Sequence, residues 1–297
     1  MIRVEKFKNT DLKSNTFIGI DLGATNIRVA RIVDSGIQTI LREPISGTDN
    51  AEVLIEQIKN LIAGLINDNV QSIGIGVPSV VDVEKGIVYD VQNIPSWKEV
   101  PLKDILENTF KKPVYINNDA NCFVLGEKYF GSAKDYSSVV GLILGTGFGS
   151  GLIFNNQLYS GNNCGAGEVG MLPYKDSIFE HYCSGQFFEL HKSTNGPDVY
   201  KRALNLEKEA LSIYDELGVH LGNAIKSIVY AYDPELIILG GSVTKGFSFF
   251  EGAMKKTLNS FAYPNSIKKL QIITSKLDEV AVLGAAALSI DNQILNK

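Results

Sequence analysis

One pattern, met twice, constrains this chain more than any other. Near the start, the apolar run Phe17-Ile18-Gly19-Ile20 ends on Asp21. The glycine turn Gly23-Ala24-Thr25 follows, then a second apolar run from Ile27 to Val33. Asp34-Ser35-Gly36 joins that run to a third, Ile37 to Leu41. The same order returns later: Ser138 to Leu144, the turn Gly145-Thr146-Gly147, then Gly151 to Phe154 and a hairpin signal at Asn155-Asn156. Short apolar runs bounded by turn residues read as buried strands. Strand, glycine turn, strand, turn, strand, written twice, predicts two structurally similar domains.

The intervening segments complete the class. Ala51 to Ile66 carries Val53, Leu54, Ile58, Leu61, Ile62 and Leu65 at helical spacing. Ser72 to Val77 reads as a strand. Pro101 suits the first turn of a helix over Leu102 to Phe110. Val114 to Ile116 is a strand candidate, and Ala120 to Phe130 a helix. From Glu207 to Tyr232 a long helix keeps Ala210, Tyr214, Leu217, Leu221, Ala224, Ile228 and Tyr232 on one stripe. Strands alternating with helices predict an α/β fold with a largely parallel sheet. A length of 297 residues suffices for two domains.

Asp119 lies where the strand Val114 to Ile116 gives way to a helix, and the two glycine turns flank it along the chain. An aspartate at the carboxyl end of a strand can face a bound ligand. Glycine lets backbone N–H groups approach phosphate closely. Two such turns around one carboxylate suggest phosphoryl transfer with Asp119 as general base; the alternative is an aspartate that caps the following helix. Asp21 is placed to hold magnesium through water, or is an ordinary hairpin aspartate. Gly240-Gly241, after the strand Leu236 to Leu239, could admit an adenine or ribose, or is only a tight turn.

Charge and cysteine content exclude several classes. The net charge is −5 with no basic block, which argues against a nucleic-acid partner. Three widely spaced cysteines, Cys122, Cys164 and Cys183, read as reduced thiols. No apolar run is long enough to span a bilayer. Met1 to Ser14 is polar and lacks the apolar segment of a signal peptide. These readings predict a cytoplasmic protein with no membrane partner.

Taken together, Ile20-Asp21-Leu22-Gly23-Ala24-Thr25-Asn26, Gly76-Val77-Pro78-Ser79, Asn118-Asp119-Ala120-Asn121, Gly145 to Gly151, Gly165-Ala166-Gly167-Glu168-Val169-Gly170, Leu239-Gly240-Gly241-Ser242-Val243 and Leu283-Gly284-Ala285-Ala286 resemble the ROK family of sugar kinases and repressors, within the actin-like ATPase superfamily. The resemblance runs from about Phe17 to Ile290. It implies a two-domain ribonuclease H-like fold with the active site in the interdomain cleft. Residues 1–118 with a C-terminal helix, 282–297, would form a smaller α/β domain, and 119–281 a larger one. It implies ATP and Mg2+ as cofactors, Asp119 as base, and sugar contacts at Ser79, Asn93, Asn118, Glu168 and Glu180. Phosphate contacts fall on Gly23, Ala24, Thr25, Gly145, Thr146 and Gly147, and adenosine contacts on Gly240 and Gly241. A homodimer is expected, because members are often dimers.

The chain departs from the family pattern in one region. Members usually carry a His after the Gly-Glu-x-Gly element and then a cysteine-rich zinc motif. Here Met171 stands in the His position and Leu172 to Phe179 holds no cysteine. No structural zinc is expected, since Cys164 and Cys183 lack zinc spacing. The expected activity is transfer of the γ-phosphate of ATP to the 6-hydroxyl of glucose or a glucose-like sugar. Fructose, N-acetylmannosamine, N-acetylglucosamine or a β-glucoside are the alternative substrates. The family's repressors carry an added N-terminal helix-turn-helix domain, and only a short arm precedes Phe17. That favours an enzyme over a DNA reader. A sugar-sensing protein without catalysis is the further alternative; retention of Asp119, Asp21 and both glycine turns speaks against it.

Overall fold

The fold comes from a computed structural model that describes residues 15–295 except Ala24, Ser35, Gln92 and Asn163. The chain forms two units. The first comprises Met1–Phe130 with Asp278–Lys297, and the second Gly131–Leu277.

In the first unit, β1 (Thr16–Leu22), β2 (Asn26–Val33) and β3 (Gly36–Pro44) form an antiparallel meander. Then β4 (Val70–Val77) pairs parallel with β1, and β5 (Val114–Asn118) parallel with β4. Every residue of β1 is buried, as a strand covered on both faces requires. The edge strand β3 is partly exposed along its length. Helix α1 (Ala51–Ala63) is capped by Asn50, whose side chain accepts from the Glu52 and Val53 amides. Its buried stripe is Leu54, Ile55, Ile58, Leu61 and Ile62. Val53, expected on that stripe, is 45% exposed, because it lies at the margin of the apolar face. Helices α2 (Leu102–Phe110) and α3 (Asp119–Tyr129) follow. The C-terminal helix, Val280–Leu295, packs on β1, β4 and α3. A Cβ added at Gly74 of β4 would stand 1.8 Å from the Ala285 carbonyl oxygen. That missing side chain lets the alanine-rich helix lie directly on the sheet.

The second unit repeats the plan. Strands β6 (Val139–Leu144), β7 (Phe148–Phe154) and β8 (Gln157–Leu158) are antiparallel, and β9 (Leu236–Gly240) and β10 (Gln271–Thr274) continue the sheet in parallel. Both sheets therefore run edge strand, middle strand, first strand, then two parallel strands. Asn155 and Asn156 join β7 to β8 with φ of 53° and 65°, the turn that matches strand twist. Helices α4 (Phe179–Cys183), α5 (Gln186–Lys192), α6 (Gly196–Leu204), α7 (Lys208–Tyr232) and α8 (Phe247–Leu258) build the core with this sheet. Tyr214, Leu217, Leu221 and Ile225 of α7 are buried, as are Phe250 and Met254 of α8. Among the described residues, no helix is long and apolar enough to cross a membrane.

Candidate active site

In the first unit three adjacent parallel strands, β1, β4 and β5, emerge at the same sheet edge. Asp21 pairs in register with Gly76, and Val77 with Asn118. The glycine turn after β1, the Pro78-Ser79 loop after β4 and Asn118-Asp119 after β5 are thereby brought together. The carboxyl ends of parallel strands are where ligands bind in such sheets.

Asn118 takes the capping role that the sequence left open for Asp119. Its Oδ1 accepts from the Ala120 amide at 2.8 Å, and its Nδ2 donates to the Ser79 carbonyl at 3.4 Å. Asp119 is the first residue of α3 and is half-buried. One of its oxygens also accepts from the Ala120 amide, at 2.8 Å. The Ser79 hydroxyl donates to the Tyr89 carbonyl, which seats the loop after β4. Asn93 is exposed, in a loop closed by the Trp97 amide on the Ile94 carbonyl.

The turn after β1 is tied by the Gly23 amide to the Asn26 carbonyl at 3.0 Å, and the Ile45 amide donates to the Thr25 carbonyl. Thr25 is exposed, and its hydroxyl accepts from Asn26 Nδ2 at 2.8 Å. Ala24 lies outside the described residues. Asp21 is buried and ion-paired through Oδ2 to Arg28. Burial lifts the Asp21 carboxyl above its ordinary range, and the Arg28 guanidinium only partly offsets this. Arg28 also reaches Glu279, at 3.3 Å. Sequence reading missed Arg28. Its signal was a cross-strand one: Asp21 and Arg28 are direct partners across the β1–β2 hairpin.

In the second unit the turn after β6 is closed by the Gly145 amide on the Gly147 carbonyl at 3.0 Å, and Thr146 is exposed at its tip. Gly240 ends β9 beside Ile143, and Gly241 comes next with φ of 89°. A Cβ at Gly241 would sit 2.4 Å from the Leu144 carbonyl oxygen. The two glycine elements expected to hold phosphate and adenosine, Gly145–Gly147 and Gly240–Gly241, are therefore neighbours.

Glu180, in the first turn of α4, reaches back to the turn after β6. Its Oε2 accepts from the Phe148 amide at 2.9 Å and its Oε1 from Gln186 Nε2 at 3.0 Å. Glu168 immediately precedes the one-turn helix Val169–Met171, makes no capping bond to it through its side chain, and is exposed. Desolvation of its carboxyl, and then the charge of Glu180, raise its pKa. Met171 beside them is 56% exposed and presents an apolar surface. Gln186 was not singled out in the sequence, where nothing local marks it.

The three cysteines are buried and, among the described residues, form no disulfide; burial pushes the Cys183 thiol up. Among the described residues, no group of three or more His, Cys, Asp or Glu side chains is arranged to hold a metal ion. The segment after Met171 forms a short hairpin, Pro173–Tyr174 with Ser177–Ile178. Tyr174 stacks on Phe179 at 4.3 Å, and Tyr182 on His191 at 4.3 Å. His220 closes this aromatic cluster, edge-on to Tyr182 at 4.9 Å.

Two units, each with a three-strand antiparallel meander extended by two parallel strands and a glycine turn after its first strand, define an actin-like ATPase fold. A glucokinase from Streptomyces griseus, solved with glucose and AMPPNP, superposes with a TM-score of 0.77 at 25% identity, covering 92% of this chain and 99% of that one. The sequence is 27% identical to a glucokinase of Thermotoga maritima, over 91% of this chain and 96% of that protein. It is 31% identical to an N-acetyl-D-glucosamine kinase of Vibrio parahaemolyticus, over 92% and 99%. The ROK family profile matches residues 17–292, and the chain belongs to the ROK family.

Proposed function

We propose that this chain is an ATP-dependent hexose kinase that phosphorylates the 6-hydroxyl of glucose or a glucose-like sugar. The observation that carries the assignment is the shared sheet edge. Three parallel strands present Asp21 with the Gly23 turn, Ser79, and Asn118-Asp119 side by side. Asp119 is the base. Its carboxylate takes the proton of the sugar hydroxyl while that oxygen bonds to the γ-phosphorus, and the bond from phosphorus to the leaving ADP oxygen breaks. A primary hydroxyl on an exocyclic carbon is the least hindered nucleophile for this step. Asn118, Asn93, Ser79, Glu168 and Glu180 orient the ring. A carboxylate that the bound sugar covers without giving it a hydroxyl donor lowers affinity, and that sets selectivity.

The turns Gly23 to Thr25 and Gly145 to Gly147 hold the phosphates through the amides not already bonded within each turn and through the Thr25 and Thr146 hydroxyls. Gly240 and Gly241 admit the adenosine. Asp21 fits an outer-shell role toward Mg2+: Arg28 is bonded to Oδ2, which leaves Oδ1 for a metal-bound water. The bound ion supplies neutralisation of phosphate charge. A second substrate, N-acetylglucosamine, is favoured by one feature. Met171 offers an exposed apolar surface beside Glu168 where a 2-acetamido methyl would rest. We further propose a cytoplasmic homodimer without structural zinc.

A coupled ADP-release assay over glucose, N-acetylglucosamine, N-acetylmannosamine, fructose and a β-glucoside tests the assignment. Asp119→Asn keeps the shape and removes the base, and turnover should fall about a hundredfold or more while sugar binding persists. Near-normal turnover in that variant would exclude Asp119 as base. Phosphorus NMR of the product should place phosphate on the sixth carbon, and sedimentation should give the mass of two chains.

A further inference from the structure

The segment from Glu180 to Gln186 fastens the turn Gly145–Phe148 at both ends. At one end the Gly185 amide donates to the Gly145 carbonyl at 2.7 Å. At the other the Phe148 amide donates to Glu180 Oε2 at 2.9 Å. The fit is close: a Cβ at Gly147 would stand 2.6 Å from Glu180 Oε2. The segment is itself braced. The Ser184 hydroxyl donates to the Glu180 carbonyl at 2.7 Å, and the Gln186 amide to the Ser184 hydroxyl at 3.2 Å. The Gln186 side chain then donates to Glu180 Oε1 at 3.0 Å and sets the plane of the carboxylate.

We propose that this segment couples sugar occupancy to the phosphate turn, with Gln186 as a positioning residue that acts through Glu180. The proposal rests on the reading above, in which Glu180 binds sugar and Gly145–Gly147 binds phosphate. Without sugar, the negative carboxylate lies against the turn and opposes an incoming phosphate. Among the described residues no cation is bonded to it: its carboxylate accepts from the Phe148 amide and the Gln186 amide group. Each carboxylate oxygen has a second lone pair, so sugar hydroxyls can add to the existing bonds. Their donation disperses the charge beside the turn and holds the carboxylate in the plane that pins the Phe148 amide. Both effects leave the remaining turn amides better placed for phosphate. Sugar and nucleotide should therefore tighten each other's binding by one common factor, since coupling between sites is reciprocal. Without the Gln186 donor the carboxylate can rotate away from the turn, and the factor should shrink toward one.

The test is isothermal titration of the full chain with glucose, and in parallel with N-acetylglucosamine, each with and without AMP-PNP and Mg2+. The wild type should bind its sugar about fivefold or more tightly when AMP-PNP is present, and AMP-PNP to the same degree when sugar is present. Gln186→Met conserves volume and removes the donor. It should bind AMP-PNP alone within about twofold of wild type while the coupling factor falls to near one. Gln186→Leu should behave alike, and thermal melts of both variants check that they are folded. Coupling that survives in the folded variants would overturn the proposal. So would independent binding of sugar and nucleotide by the wild type. Failure of the wild type to bind AMP-PNP or either sugar is a different result: it would refute the kinase reading, and the coupling with it.

Discussion

Acid should loosen the second unit through one side chain, His220. This residue of α7 is only 2% exposed. Its Nδ1 lies 3.0 Å from the Tyr174 hydroxyl, and its Nε2 lies 3.5 Å from a Glu216 oxygen. Tyr174, Tyr182 and Phe187 surround the ring. Burial first, and then the charge of Lys175, push its pKa down to about 4; His191 adds to this, and Glu216 opposes it. The folded chain thus holds His220 neutral, whereas the unfolded chain protonates it near 6.5. Between those values the unfolded state binds more protons, so stability rises with pH. The contribution is complete above about 6.5 and is lost as pH falls toward 4. Protonation linkage over this shift gives a loss of about 2 kcal/mol from pH 7 to pH 5. Trp97, the single tryptophan, lies in the first unit, so its fluorescence does not report this event. Amide hydrogen exchange across α7 does. Protection of α7 should weaken by about 2 kcal/mol between pH 7 and pH 5 in the wild type, after correction for intrinsic exchange rates, and much less in His220→Phe. An equal change in both proteins would refute the assignment of the acid sensitivity to His220.

Three further outcomes are expected. Gly241→Ala forces a side chain into a backbone region reserved for glycine and against the Leu144 carbonyl. It should lower second-unit stability by about 2–3 kcal/mol and weaken AMP-PNP binding; unchanged nucleotide affinity would remove Gly241 from the adenosine site. Arg28→Met strips Asp21 of its ion-pair partner. Since Arg28 is partly exposed, the cost should be about 1–2 kcal/mol, read by urea unfolding followed at Trp97, and an unshifted midpoint would show the pair to be idle. Elemental analysis of the purified protein should find less than stoichiometric zinc, whereas one tightly held zinc per chain would reveal ligands that the family spacing does not predict.

Local features of the chain were legible from sequence because their causes are local. The Asn155-Asn156 hairpin, the long stripe of α7 and the glycine turns follow from backbone freedom and from side-chain periodicity. Both glycine turns sit at strand–strand junctions as expected, and the repeated motif reappears as the same strand order in both sheets. The partners of the functional side chains were not legible. Asn118 rather than Asp119 takes the N-cap position: both neighbours have the chemistry, and the backbone is still extended at Asn118 and helical from Asp119 on. Asp21 faces Arg28 because the β1–β2 register sets them opposite. Glu180 reaches the turn after β6 across more than thirty positions of sequence, as the separation of 32 between it and Phe148 shows. Such pairings depend on how the elements pack, and a residue carries no local mark of which distant amide its side chain will meet. The sequence by itself determined the element types, the repeat and the residues able to do phosphoryl-transfer chemistry. The tertiary structure alone decided which of their polar atoms are already bonded within the protein and which remain to meet a ligand.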